Sequence, residues 1–311
     1  TWYVDSFWED VHNNMIAYFN SDSPGLKDPV YYLDRISSEI RRFHRQSLKD
    51  VGIRHKVVSR RPTKVGDTPS FLWGVGTPSV ADKIEYERHN DWWWWHSSAD
   101  TIDKADTDVL LDQTKAYALS AIRLCNCPIL PLEFASVAGE FVDTAKQLKD
   151  TAKGKIDLNL LIEKTKKLRA YSAKLDRTIG GVLREYASLK TSGSRKRFEE
   201  NFEKVNERLM RMSRVLNHVN YGVSGMYDHD PYAHRVSSIP VLQPIKDLTD
   251  MDPESSEYKA LLTKLVRERN KVNHALQQGI ELASSSIETI ACLRRVVRSD
   301  SGLRKISISA R

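Results

Sequence analysis

Cysteine is scarce in this chain. Only Cys125, Cys127 and Cys292 occur among 311 residues. The odd, sparse set argues against a disulfide scaffold. Cys125-Asn126-Cys127 spaces its thiols too closely for the usual two-residue zinc knuckle. Long apolar runs are missing too: no stretch approaches the ~18 residues needed to span a membrane. No membrane segment is therefore expected in these residues, and any signal or anchor belongs to residues upstream of Thr1. Internal repeats and low-complexity tracts are absent. The charge excess is mild, 48 Lys and Arg against 41 Asp and Glu, for a net +7. It favours acidic surfaces without marking a nucleic-acid binder, and no nucleic-acid partner is expected. What remains is an ordinary globular composition, 40% hydrophobic, in a soluble chain of unread compartment. Its length suits about two domains with cores that need no staple.

Against that background one stretch stands out. Trp92-Trp93-Trp94-Trp95 runs into His96 and then into Ser97-Ser98-Ala99-Asp100-Thr101-Ile102-Asp103-Lys104. Neutral imidazole beside an apolar wall is a good zinc ligand, because such surroundings disfavour the imidazolium. The plainer reading is a buried aromatic cluster with an incidental histidine. A second feature lies near the start. Met15 to Phe19 is a short apolar run bounded by Asn20 and Pro24-Gly25, which suits a buried central strand. Asp22 follows it, where ligands gather at the carboxyl ends of strands in open α/β sheets. An aspartate there also serves as a simple turn residue.

Together the two segments resemble the zinc aminopeptidase and glutamate carboxypeptidase family, which also includes the transferrin receptor. Asn20-Ser21-Asp22 matches that family's Asn-x-Asp after a core strand. His96 with Asp100-Thr101-Ile102-Asp103 matches its late His, polar turn and Asp-Thr-x-Asp. Thr1 to Asp10 is similar to the preceding helix, and Phe71 to Val80 to the next strand with its Pro-Ser turn. The resemblance covers residues 1–125 and extends loosely to the helical remainder. It implies the C-terminal part of an α/β/α metallopeptidase sandwich over 1–127, and a helical dimerisation domain of the transferrin-receptor kind over 128–311. It implies two zinc ions, with Asp22 on one and His96 on the other. The remaining ligands and the general-base Glu lie upstream of the Asn-x-Asp strand in that family, so the chain is expected to begin mid-domain and to supply only part of the site. Glu9, Glu85 and Glu87 match no catalytic motif.

The implied activity is exopeptidase hydrolysis of peptides or amino-acid conjugates by a zinc-activated water. No arginine cluster is assignable to a terminal-carboxylate pocket, which favours an aminopeptidase over a carboxypeptidase. The alternative is an inactive, receptor-like relative that keeps the fold and dimerises through its helices. A third reading, tryptophans stacking on sugars or bases, is disfavoured: consecutive rings in an extended segment face alternate sides, so at least two should be buried. In the carboxypeptidase branch a loop from the helical domain reaches the cleft. By that resemblance Tyr232 and His234 would contact substrate, with Trp95 beside His96. The metal-like composition of Asp228, His229, Asp230 and His234 carries no fixed geometry, and a surface connection with Asp-Pro turns explains it equally.

The chain pattern predicts helices over 5–14 and 29–49, the latter from Tyr32, Ile36, Ile40 and Phe43. It predicts strands over 15–20 and 70–75, a loop over 51–69, and an irregular rim over 81–91. A helix capped at Asp106 or Thr107 should run to Cys125. Beyond Pro128 and Pro131 helical periodicity dominates. Phe198, Phe202, Val205, Leu209, Met212, Leu216 and Val219 form an a/d seam. Leu158 to Tyr186 should form a second helical face bent at Gly180-Gly181, and 254–297 a third helix. A homodimer through these helices is implied by the resemblance alone. The tail after Arg294 is basic and reads as a solvated end.

Overall fold

A computed structural model of the chain describes residues 2–22, 24–62, 69–85, 93–189, 192–225, 227–228 and 238–308. The fold is mixed α/β and mostly helical, with one small sheet. The chain divides into two compact units. One comprises Thr1–Cys127 with Tyr221–Val236, the other Pro128–Asn220 with Ser237–Arg311.

The α/β unit begins with two short helices, α1 (Trp2–Ser6) and α2 (Trp8–Asn14), where one was expected. Strand β1 (Tyr18–Asp22) follows, shifted toward its carboxylate end. It pairs in parallel with β4 (Ser79–Glu85) and stands at the edge of the described sheet, whose order is β1-β4-β2-β3. Tyr18 to Asn20 are half-buried and Ser21 is exposed, so the central, buried position expected of it is corrected.

Residues 29–49 are not one helix. They form β2 (Tyr31–Ile36), a turn, and α3 (Arg41–Val51). Tyr32, Ile36 and Ile40 are indeed buried. A spacing of four, however, is even, so it satisfies one face of a strand as well as one face of a helix. Leu33 and Asp34 between them are also buried, the mark of a strand covered on both faces. The expected loop over 51–69 contains β3 (Lys56–Arg60), which pairs in parallel with β2. The expected strand over 70–75 is a π-helical turn, Pro69–Val75, closed by the Thr77 amide on the Phe71 carbonyl at 2.9 Å. The strand comes after it, as β4, antiparallel to β2, and replaces the irregular start predicted at residue 81. Gly76 turns the chain between them with φ +83°, a conformation open to glycine at little cost.

The core of this unit gathers Leu26, Tyr32, Leu48, Trp94, Val109 and Ala116, with Ile53, Val57 and Ala99 against them. Helix α4 (Thr107–Asn126) starts where expected. The Asp106 side chain accepts from the Asp108 and Val109 amides at 2.8 and 3.1 Å, satisfying two donors that a helix start leaves open.

The second unit is helical. It holds α5 (Phe134–Ala152), α6 (Asn159–Ala187), α7 (Ser192–Tyr221, in this unit through Asn220) and α8 (Ser256–Ile308), with a 3-10 helix, Pro240–Thr249. All seven members of the predicted α7 seam are buried within the chain. Helix α6 runs through Gly180-Gly181 without a break, where a bend was expected. Polar ties lock the helices. Asn206 accepts from the Leu130 amide at 2.8 Å and donates to the Pro128 carbonyl at 3.1 Å. Arg294 on α8 grips the Glu185 carboxylate on α6 with two hydrogen bonds. Such a bidentate pair is worth more than a single ion contact.

The start of α5 is capped from α6. Asp176 accepts from the Phe134 and Ala135 amides at 3.3 and 3.0 Å. Burial pushes its carboxyl up to about 6, and Glu133 adds to the rise, against the pull of the two amides. A folded-state pKa above the unfolded 3.8 means the folded state holds the proton more tightly. Its stabilising contribution is present below pH 4 and is lost as pH rises to about 6. Asp176→Asn should remove that slope. Urea midpoints of wild type and variant should diverge between pH 4 and 6, with the wild type losing on the order of 2 kcal/mol relative to the variant.

Candidate functional site

The two segments singled out by sequence both belong to the α/β unit. Asp22 is the last residue of β1, in register with Lys83. The Asp22 side chain lies outside the described residues. Beyond it the chain turns through Pro24-Gly25 and makes a series of ties. The Gly25 amide donates to Gln113 Oε1 at 2.6 Å. The Gly25 carbonyl accepts from the Asp106 amide at 2.7 Å, and the Lys27 amide donates to the Lys104 carbonyl at 2.9 Å. Leu26 and Ala105 form an isolated antiparallel bridge. The stretch three to five residues after Asp22 is thus bound to the stretch eight to ten residues after His96. That is how the fold brings the two motifs into one region.

The tryptophan run is divided between core and surface. Trp94 is 6% exposed in the core cluster, whereas Trp93 and Trp95 are 75% and 41% exposed. Trp92 lies outside the described residues. Of the two or more rings expected to be buried, Trp94 is one, and Trp93 and Trp95 are not. The reason is that Trp93 to His96 form a turn, so strand-like alternation does not apply. His96 is exposed, its ring 4.0 Å from that of Trp95 between centroids. Its φ of +61° places it in the left-handed region, where histidine is several-fold enriched among non-glycine residues. The turn is held by Ser97, whose amide and hydroxyl both donate to the Trp94 carbonyl, at 3.1 and 2.5 Å.

Asp100-Thr101-Ile102-Asp103 leads into a single 3-10 turn, Ile102–Lys104. Asp103 accepts from the Thr101 hydroxyl and pairs with the Lys104 ammonium. Those bonds, Lys104's first, hold its carboxyl down at about 2. It fastens the turn whose residues Lys104 and Ala105 meet Lys27 and Leu26.

Of the remaining expected site residues, Tyr232 and His234 lie outside the described residues, and so does Glu87. Glu9 is exposed on α2. Within the same unit, the Tyr227 ring lies 4.9 Å from that of Trp8, and Asp228 accepts from the Gly225 amide at 2.9 Å. Among the described residues no group of three or more His, Cys, Asp or Glu is arranged to hold a metal ion.

Two residues that sequence reasoning missed matter to this region. Gln113 and Tyr117 stand one turn apart on α4 and reach the β1 end from both sides of Asp22. Gln113 takes the Gly25 amide, and the Tyr117 hydroxyl donates to the Asn20 carbonyl at 2.5 Å. Phe19 packs edge-on against Tyr117. Gln113 is 2% exposed, and its Nε2 has no hydrogen-bond partner, nor has the buried Asn20 Nδ2. The available signal was a polar residue on the inward face of α4, in step with Val109, Ala116, Ser120 and Leu124.

No model of a known protein family and no curated protein matches this chain.

The bracket around Asp22 makes a stability prediction. Tyr117→Phe deletes one hydrogen bond and should cost about 1 kcal/mol. Gln113→Leu leaves the buried Gly25 amide unpaired and should cost more, about 1–3 kcal/mol. Chemical denaturation of the two variants gives the order; equal losses would mean the Gly25 amide finds another acceptor.

Proposed function

We propose that this chain supplies part of the metal site of a zinc-dependent exopeptidase, of the aminopeptidase kind, acting on peptides or small amino-acid conjugates. The observation that carries the reading is the binding of Gly25–Lys27 to Lys104–Asp106, which sets the Asn-x-Asp and His-containing segments in one region. A left-handed, exposed His96 on a turn anchored by a buried Trp94 supports it, since strained and rigidly held residues cluster at functional sites.

Carboxylate and imidazole are donors that zinc takes, but zinc normally takes about four ligands. Asp22 and His96 supply two, one for each of the two ions in this reading. The donor types suit the ion, while their number does not complete a site. When bound, a zinc pair supplies a lowered water pKa and polarisation of the scissile carbonyl. The tasks this chain's own residues carry are narrower. Asp22 and His96 bind, Gln113 and Tyr117 fix the backbone on either side of Asp22, and Trp95 covers one face of the His96 ring. Tyr232 and His234 complete the proposal as substrate contacts. The same reading carries a homodimer through the helical unit. Its α7 seam is already filled within one chain, so a dimer would use outward faces such as that of Leu160, which is 50% exposed.

Elemental analysis after dialysis tests the proposal on the longest natural form of the protein. About two zinc per chain is expected, with clear loss in Asp22→Ala and His96→Ala and loss of hydrolysis of peptide amides in both. No zinc in the wild type would replace the peptidase by the inactive, receptor-like relative. Unchanged activity of His96→Ala at matched zinc occupancy would sink the ligand assignment.

A further inference from the structure

Helix α4 buries one side and leaves the other open. Val109, Gln113, Ala116, Ser120 and Leu124 are buried. On the opposite side, Leu111, Thr114, Lys115, Ala118, Ile122 and Cys125 recur at steps of three and four, and all are exposed. Such spacing makes one continuous stripe along a helix. Leu111 is 49% and Ile122 60% exposed. Lys115 carries the stripe's single charge. An outward helix face is ordinarily charged and polar, so this stripe reads as a contact surface.

The stripe is complementary to itself. Ala118 stands at its centre, where a small residue lets a second helix approach closely. Leu111 and Cys125 lie seven residues to either side of Ala118, and Thr114 and Ile122 lie four. When two copies cross antiparallel at Ala118, Leu111 lies level with the partner's Cys125, and Ile122 with the partner's Thr114. A larger side chain then meets a smaller one at each level, on both chains at once, as a two-fold interface requires. Charge follows the same order. Asp106 caps the start of α4 and Asp108 follows it, while Arg123 lies in the last turn. Antiparallel helices set each acidic end beside a basic one, whereas parallel helices set like beside like. The aliphatic stem of Lys115 can lie over the partner's Ile122 and keep its ammonium in water. A lipid surface fits less well. Interfacial helices are rich in basic residues, and α4 balances Asp108 and Asp112 against Lys115 and Arg123.

We propose that the outward face of α4 docks on the same face of a second copy of this chain, as an antiparallel two-fold pair centred on Ala118. A single helix pair is small for a lasting interface, so the dimer forms and parts readily, in the micromolar range. The contact belongs to the α/β unit. It does not rest on the peptidase reading, whose homodimer uses the helical unit.

Sedimentation equilibrium on the full chain, with thiols reduced, tests it. The wild type should pass from monomer to dimer as concentration rises through roughly tens of micromolar. Ile122→Glu alters an exposed position, so it should keep the wild-type thermal midpoint and weaken the dimer at least about tenfold. Leu111→Cys reads the register. Position 111 is about 21 Å from Cys125 along one helix, too far for a disulfide within the chain. Mild oxidation with diamide should join position 111 of one chain to Cys125 of its partner, read by peptide mapping. In the wild type the two Cys125 thiols lie about 21 Å apart across the pair, and no bond between them is expected. A chain that stays monomeric up to about 0.5 mM overturns the proposal, whatever else binds the face. A dimer that Ile122→Glu leaves intact also overturns it, because the contact then lies elsewhere. So does oxidised Leu111→Cys without the expected bond, or a bond between two Cys125 residues, which parallel helices would give.

Discussion

The candidate site hangs on one glycine. Gly25 has φ +73°, its amide bonds to Gln113 on α4 and its carbonyl accepts from the Asp106 amide, and a Cβ there would lie 2.7 Å from the Leu110 Cβ. The dihedral and the close approach each demand the absence of a side chain. Because Gly25 is flush against the first turn of α4, Leu26 can enter the core beside Trp94, and Lys27 can pair with Lys104. The β1 end and the tryptophan turn are then two sides of one small structure rather than separate loops. The energy of that arrangement is ordinary: a few backbone bonds and one shared apolar cluster. Its specificity comes from the fact that each bond fixes a different residue in the same short run.

What was legible in the sequence depended on whether its period was unique. The α7 seam alternates steps of three and four over seven residues, which only a helix satisfies, and it is buried as read. Asp106 before an apolar-periodic stretch is an unambiguous start, and α4 begins there. Tyr32, Ile36 and Ile40 are four apart, a step that a strand shares; the step of three came only with Phe43, which lies on α3, and Leu33 and Asp34 are buried as in a strand covered on both faces. Phe71 to Val75 was too short and too uniformly apolar to distinguish strand from helix, and Pro69 at its head favours a helical start. The β1 run was found, but its edge position depends on partners distant in sequence, which no local pattern carries.

For the site, Asp22 and His96 could be nominated from motif spacing, and the fold sets the segments that follow them side by side. Gln113 and Tyr117 could not. A glutamine among inward-facing positions says that something polar is buried, not that its partner is a backbone amide 88 residues earlier. The same holds for Asn220: its neighbours in the seam announce a core helix, while its side chain bonds to Glu140 and Ser238, both remote in sequence. Polar groups with backbone partners leave little local trace, and they are the ones that decide geometry here.

The interleaving of the two units bears on how the chain acquires its structure. The α/β unit lacks Tyr221–Val236 until Pro128–Asn220 has been made. During synthesis its first 127 residues must therefore wait, with Leu72 bare of Tyr221, while α5, α6 and most of α7 emerge. Domains usually fold as units from the N-terminal end; this one cannot finish in that order. Closing so long an intervening loop is entropically modest if the helices have already condensed, but the contacts it delivers are among the most distant in the chain, and such contacts form late. A ribosome stalled before residue 221 would leave Leu72 of the α/β unit without the Tyr221 ring that packs on it.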